Sequence, residues 1–246
     1  VFGIAESDLQ GRLSALTGYK DVHVRSLPHF PEIRLAISNR APVARPDAVS
    51  GDAASLDAFV GAARDALGWR VFSTDPREPY AAAVVRSLQS AGATLAVAES
   101  CTGGLIGHML TDVPGVSATL IADAVCYANA AKEALVGVPA AVLAEHGAVS
   151  EATARAMAEG VARVTGASYG LATTGIAGPS GGTAERPVGT VWMAVAGPNG
   201  TQAWRQRYGH LDRGRFKRIV AYSALARLRS VVRADGVAQA SADGHA

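Results

Sequence analysis

Apolar positions along the first third of the chain follow two rhythms. Leu9, Leu13 and Leu16 fall at helical spacing, so Glu6–Leu16 is expected to be a helix with one buried stripe. Phe59, Ala63 and Leu67 mark a second helix over Leu56–Leu67. Val22–Ser26 and Glu32–Ser38 alternate or run apolar over strand lengths, with Pro28 and Pro31 between them. Ala41–Ala54, rich in Pro, Ala, Asp and Gly, reads as a loop, and Trp69–Ser73 as a short strand. These signals predict a small α+β unit over residues 1–75 with a β-α-β-β-α-β order.

From about Asp75 the rhythm changes to alternating helices and strands. Tyr80–Gln89 is amphipathic, Thr94–Ala98 is a short buried strand, and Gly103–Leu110 is a helix that follows at once. Thr119–Tyr127 is β-rich, while Ala130–Leu135 and Ala140–His146 are helical. Ser150 stands at an N-cap position before the strong amphipathic helix Glu151–Val164. Tyr169–Thr174 and Gly189–Ala196 are strands around a glycine-rich loop, Gln202–Tyr208 is another, and Arg213–Val232 is a long last helix. This order predicts a three-layer α/β/α domain with a mixed sheet over 76–233. The small polar residues after Ala234 predict a flexible tail over 234–246.

Composition adds a few exclusions. Hydrophobic residues make up 49% and charged residues 18%, which gives apolar mass for a full core. Abundant alanine and glycine with few aromatics favour close-packed helices on a sheet over a β-sandwich. A formal charge of +2 is too weak to argue for nucleic acid. Basic residues do gather between Arg205 and Arg233, either as a solvated helix face or as holders of a phosphate. Cys101 and Cys126 form neither a Cys-x-x-Cys pair nor a disulfide scaffold. No apolar run is long enough for a membrane span and no signal-peptide pattern is visible, so a cytoplasmic setting is expected. The chain begins at Val1 without a methionine and reads as a fragment of something longer.

Three segments carry candidate chemistry. Ala98-Glu99-Ser100-Cys101-Thr102-Gly103-Gly104 joins a buried strand directly to a helix, a junction where open α/β folds bind ligands. Free N–H groups at the helix start would hold an oxyanion beside a Ser100 nucleophile, although Ser and Thr in this place are also ordinary N-caps. Tyr127-Ala-Asn129-Ala-Ala-Lys132 puts a lysine just inside a helix. No Ser-His-Asp arrangement is suggested by the histidines. A lysine with its pKa lowered by burial serves as base instead, unless Lys132 is only a surface residue and Tyr127 a core-edge aromatic. Thr173–Gly182 carries four glycines and a proline after a buried strand, a backbone-exposed loop able to cradle phosphate or sugar. It is neither a P-loop nor a dinucleotide fingerprint.

Together these segments resemble the CinA C-terminal family, also called nicotinamide-nucleotide amidases (PncC). The resemblance rests on the 98–104 run, Tyr127-x-Asn129-x-x-Lys132, His146-Gly-Ala-Val-Ser150, Thr174-Gly-Ile-Ala-Gly-Pro-x-Gly-Gly182, Pro187-Val-Gly-Thr-Val191 and Asp212-Arg213, in that order over about 78–232. It implies hydrolysis of nicotinamide mononucleotide to nicotinic acid mononucleotide and ammonia. In that reading Ser100 attacks the carboxamide, Lys132 is the general base and Tyr127 lies in the proton path. Glu99, Thr102, Gly103, Gly104, Asn129, Thr174, Gly175, Gly178, Gly181, Gly182 and Arg213 contact substrate. No metal or organic cofactor is needed, and a homodimer without membrane or nucleic-acid partners is expected. Cys101 is a rival nucleophile, and a non-catalytic nucleotide-binding or damage-response module is the rival function. Residues 1–75 resemble the KH-type middle module of full-length CinA proteins, without a Gly-x-x-Gly loop. The chain departs from the family at Ala122-Asp123-Ala124, where two glycines are usual, and at Ala184-Glu185-Arg186.

Overall fold

The computed structural model describes residues 1–19, 22–39, 53–209 and 211–243. The chain separates into two compact units, Val1–Glu78 and Pro79–Ala246. Of the expected loop at Ala41–Ala54, residues 41–52 lie outside the described residues, as does His210.

The first unit holds helix α1 (Glu6–Ser14), strands β1 (Val22–His29) and β2 (Glu32–Asn39), and helix α2 (Ala53–Leu67). β1 and β2 pair antiparallel from Val22↔Asn39 to His29↔Glu32. The two helical stripes expected from spacing form its core: Leu9 and Leu13 of α1 meet Phe59, Ala63 and Leu67 of α2, with Val24, Leu35 and Ile37 of the hairpin packed against them. Trp69–Ser73 is not a strand. Gly68–Arg70 is a 3₁₀ turn, and Trp69 is 46% exposed. An apolar run becomes a strand only where a neighbour takes up its backbone groups. Here Arg70 O accepts from Phe2 N at 3.0 Å, but Val71 N turns back to Gly68 O at 3.1 Å, which takes the segment out of strand geometry. The order among the described residues is therefore α-β-β-α.

The second unit is the expected three-layer α/β/α domain. Its elements are α3 (Tyr80–Ser90), β3 (Leu95–Glu99), α4 (Leu105–Thr111), β4 (Leu120–Val125), α5 (Asn129–Val136), α6 (Ala140–His146), α7 (Glu151–Thr165), β5 (Tyr169–Gly175), β6 (Thr190–Gly197), β7 (Gly200–Arg207) and α8 (Arg213–Asp243). Strand order is β4-β3-β5-β6-β7, with β4, β3 and β5 parallel and β6 and β7 antiparallel. Every residue of β3 is buried, as a central parallel strand covered on both faces requires. Ala96, Ala98, Ala172 and Ala194 face the α7 layer, where Ala154, Met157, Ala158 and Val161 cover them. α3, α4 and α8 form the opposite layer.

Small residues set the spacing of the α7 layer. A Cβ added to Gly160 would stand 1.9 Å from Val136 O, and one on Gly170 2.0 Å from Ala158 O. α7 starts where expected: Ser150 Oγ accepts from Thr153 N at 3.2 Å. α8 runs to Asp243, past the end expected at Val232 and through most of the expected tail, whose alanines favour continued helix. No described helix is long and apolar enough to cross a membrane.

Candidate active site

The parallel strands β3, β4 and β5 end at the same edge of the sheet, and the chain leaves β3 between strands reached by opposite crossovers. Such a switch point opens a crevice beyond the carboxyl ends. Alternation along β3 then separates two neighbouring side chains. Glu99 turns to the α4 layer and Ser100 to the α5 side. Ser100 N donates to Thr173 O at 3.0 Å, which fixes the turn against β5.

Lys132 comes from the first turn of α5 and is 1% exposed. Its Nζ lies 3.2 Å from Ser100 Oγ. It also donates to Cys126 O at 2.9 Å and to Tyr127 O at 3.1 Å. Burial lowers its pKa, partly opposed by the nearby thiols of Cys126 and Cys101. The hydrogen-bond inventory then sets the function of the third direction. Its three donated hydrogen bonds match the three N–H groups of an ammonium; when the proton is lost, the two carbonyls keep the remaining N–H groups and the lone pair is left for the Ser100 hydroxyl. The structure thus excludes the alternative of Lys132 as a surface residue.

Cys101 sits beside Ser100, 5% exposed, with its Sγ against the backbone of Gly175. Desolvation pushes its thiol up to about 12. A thiol held protonated at neutral pH is a poor nucleophile, so the geometry favours Ser100.

Several expected substrate contacts belong instead to the scaffold. Glu99 is fully buried, and its carboxylate accepts from Gly104 N at 3.0 Å and Gly107 N at 2.9 Å. It occupies the start of α4, so those N–H groups are not available to an oxyanion as expected from the sequence. Thr102 is also fully buried and shares a hydrogen bond with Thr173 Oγ1 at 2.8 Å. Gly103 (φ +60) and Gly104 (φ +86) adopt the left-handed backbone that closes this turn, and they lie under Lys217 and Val125 rather than along the crevice. Asn129 is exposed at the start of α5. Gly182 packs on the backbone of Val188.

The crevice itself has a volume of about 350 Å³ and is lined by Ser100, Cys101, Tyr127, Lys132, Thr174, Gly175, Gly178, Gly181 and Arg213 among others. Thr174 Oγ1 donates to Ala148 O at 2.7 Å and draws the 147–150 segment to the wall. Arg213 spans the mouth, donating to Gly178 O at 3.0 Å and to the Tyr127 phenol oxygen at 2.7 Å. The phenol therefore faces Arg213, while Lys132 meets the Tyr127 carbonyl. The contact of Tyr127 with Lys132 is thus made by its backbone, not by the ring placed in the expected proton path.

Ala148 and Val149 also line the crevice. Neither carries a functional side chain, so only the His146–Ser150 motif hinted at them. Its shape is held by Ser150 Oγ and Thr153 Oγ1, which both donate to Gly147 O at 3.0 and 2.7 Å.

Comparison with known proteins shows what the chain is similar to. A CinA-like protein of Anaeromyxobacter dehalogenans strain 2CP-C is 47% identical over 205 residues, covering 83% of this chain and 48% of that protein. One from Desulfosudis oleivorans is 45% identical over 235 residues, covering 93% of this chain and 54% of that protein. The chain thus spans about half the length of these curated relatives. Among solved structures, the competence/damage inducible protein CihA of Agrobacterium tumefaciens superposes with a TM-score of 0.59 at 39% identity, over 61% of this chain and 92% of that one. A competence-damaged protein (CinA) superfamily member from Klebsiella pneumoniae gives 0.60 at 33% identity, over 62% and 95%. Residues 77–232 match the CinA C-terminal domain, and the chain belongs to the CinA family.

Proposed function

We propose that this chain is a nicotinamide-nucleotide amidase, converting nicotinamide mononucleotide and water to nicotinic acid mononucleotide and ammonia. The observation that carries this reading is the buried Lys132 amine, held by two carbonyls with its third direction on Ser100 Oγ at 3.2 Å. Ser100 Oγ attacks the carboxamide carbon as its proton passes to Nζ. The tetrahedral intermediate collapses, and Nζ returns the proton to the departing nitrogen, which leaves as ammonia. Water then attacks the acyl-serine, giving its proton to Nζ, and the Ser100 hydroxyl is restored as the acid leaves.

The crevice volume of about 350 Å³ falls within the range of small-molecule sites. Arg213 at its mouth offers a guanidinium to the nucleotide phosphate, with the Gly175–Gly181 loop beside it. Ammonia release from nicotinamide mononucleotide tests the reading. It is expected in the unaltered protein and absent in Ser100→Ala. Tight nucleotide binding with no ammonia release by the unaltered protein would replace it with a binding module.

A further inference from the structure

Asp123 of β4 lies outside the crevice, on the α4 side of the sheet, in register with Val97. Its Oδ2 fills the space above Gly107, where an added Cβ would stand 2.0 Å away. The N–H of that same glycine donates to Glu99 Oε1. Asp123 Oδ1 is buried and has no hydrogen-bond partner among the described residues. Two carboxyl groups thus crowd one helix start: Glu99 accepts from Gly104 N and Gly107 N, and the Gly107 N–H also faces Asp123. Like charges in such a place are costly to ionise together.

Among the described residues, no cation figures in the electrostatics of Asp123. On α4, His108 and Asp112 pair with each other at 3.8 Å and are two-thirds exposed. From α8, Lys217 packs over Gly103. Lys132 works with Ser100 and the Cys126 and Tyr127 carbonyls.

We propose that protonated Asp123 is a positioning residue that donates to Glu99 and so holds the Ser100 turn for catalysis. The link is short. Glu99 precedes Ser100, its carboxylate closes the turn through Gly104 N and Gly107 N, and its carbonyl accepts from Cys126 N at 2.7 Å. Cys126 O in turn holds Lys132. Loss of the Asp123 proton sets two carboxylates against each other and loosens the support of both nucleophile and base. Burial, followed by the charge of Glu99, raises the Asp123 carboxyl to about 7, so the device titrates near neutrality.

This inference rests on the amidase reading. The test compares the unaltered chain with Asp123→Asn, which keeps a donor toward Glu99 at every pH, and Asp123→Ala, which has none. Ammonia release is followed from pH 5.5 to 9.5, and the melting temperature over pH 4 to 9. The ratio of Asp123→Asn to unaltered kcat/KM is expected to rise at least about threefold between pH 6 and 8.5. Asp123→Ala is expected to lose kcat at all pH values, more than it changes KM.

The native carboxyl holds its proton more tightly than the unfolded chain does. Its stabilising contribution is complete in acid and is lost as pH rises through about 7. The melting temperature of Asp123→Asn should therefore gain on that of the unaltered chain by a few degrees from pH 4 to 8. A flat activity ratio overturns the positioning role, even if the melting difference widens. A flat melting difference overturns the shared proton. If the unaltered chain releases no ammonia, the amidase reading fails, and the melting comparison still decides whether the pair exists.

Discussion

Replacing Lys132 with methionine keeps most of the stem volume and removes only the amine that touches Ser100. The loss can be divided into two parts. For the fold, Cys126 O and Tyr127 O each lose a donor at 2.9 and 3.1 Å. A buried acceptor left unsatisfied costs about 1–3 kcal/mol. Removing the burial cost of the ammonium offsets part of this, so the protein should stay folded. For the chemistry, a positioned general base contributes about 10²–10⁴-fold, or about 3–5 kcal/mol of barrier. The assay is ammonia release from nicotinamide mononucleotide, with circular dichroism to confirm folding. The expected result is a kcat lower by about 10²–10⁴-fold, with KM changed far less, because Lys132 touches Ser100 and not the Arg213 mouth of the crevice. The pH profile adds a second criterion. Burial lowers the Lys132 pKa, so activity should rise with pH as the amine loses its proton below its ordinary value of 10.5. The same shift means that the unfolded chain binds the proton more tightly. The stability penalty is thus present in full below the native pKa and is relieved as pH rises toward 10.5. The rising limb should vanish in Lys132→Met. A folded variant that keeps kcat within about tenfold would refute lysine as base.

Three other outcomes follow from the same geometry. Ser100→Ala should abolish ammonia release while Cys101→Ala keeps most of it, because the thiol, raised to about 12, stays protonated; the reverse pattern would make Cys101 the nucleophile. Arg213→Ala should raise KM by about 10–100-fold, the worth of one charge-assisted hydrogen bond to phosphate, with kcat largely spared; an unchanged KM in initial-rate kinetics would remove Arg213 from the phosphate site. Gly160→Ala should destabilise the fold by about 1–3 kcal/mol, although alanine is the better helix former, because its Cβ would meet Val136 O at 1.9 Å; a denaturant titration showing a gain would contradict the close approach of α5 and α7.

Local rhythm made most elements legible. The stripes of α1, α2 and α7 and the buried run of β3 follow from side-chain periods that need no knowledge of partners. The failures share one cause. Trp69–Ser73 has strand composition, but its start is closed into a turn by Val71 N on Gly68 O. Glu99 and Thr102 stand in the most distinctive motif of the chain and looked like ligand contacts. Their side chains are claimed by Gly107 and Thr173, which sequence spacing does not bring near. Tyr127 shows the same effect within one residue: its carbonyl meets the lysine and its ring meets Arg213.

The sequence by itself determined most of the helices and strands, though not the turn at Gly68–Arg70 or the end of α8, and it marked where the glycines permit tight turns and which three stretches carry chemical groups worth attention. These properties are local, set by the backbone freedom and side-chain period of neighbouring residues. Only the tertiary structure decided that Lys132 is buried against two carbonyls and Ser100, that Cys101 is buried where desolvation pushes its thiol up, and that Asp123 crowds the helix start that Glu99 holds. Proton affinity depends on desolvation and on charges a few ångströms away, and segments distant along the chain supply both.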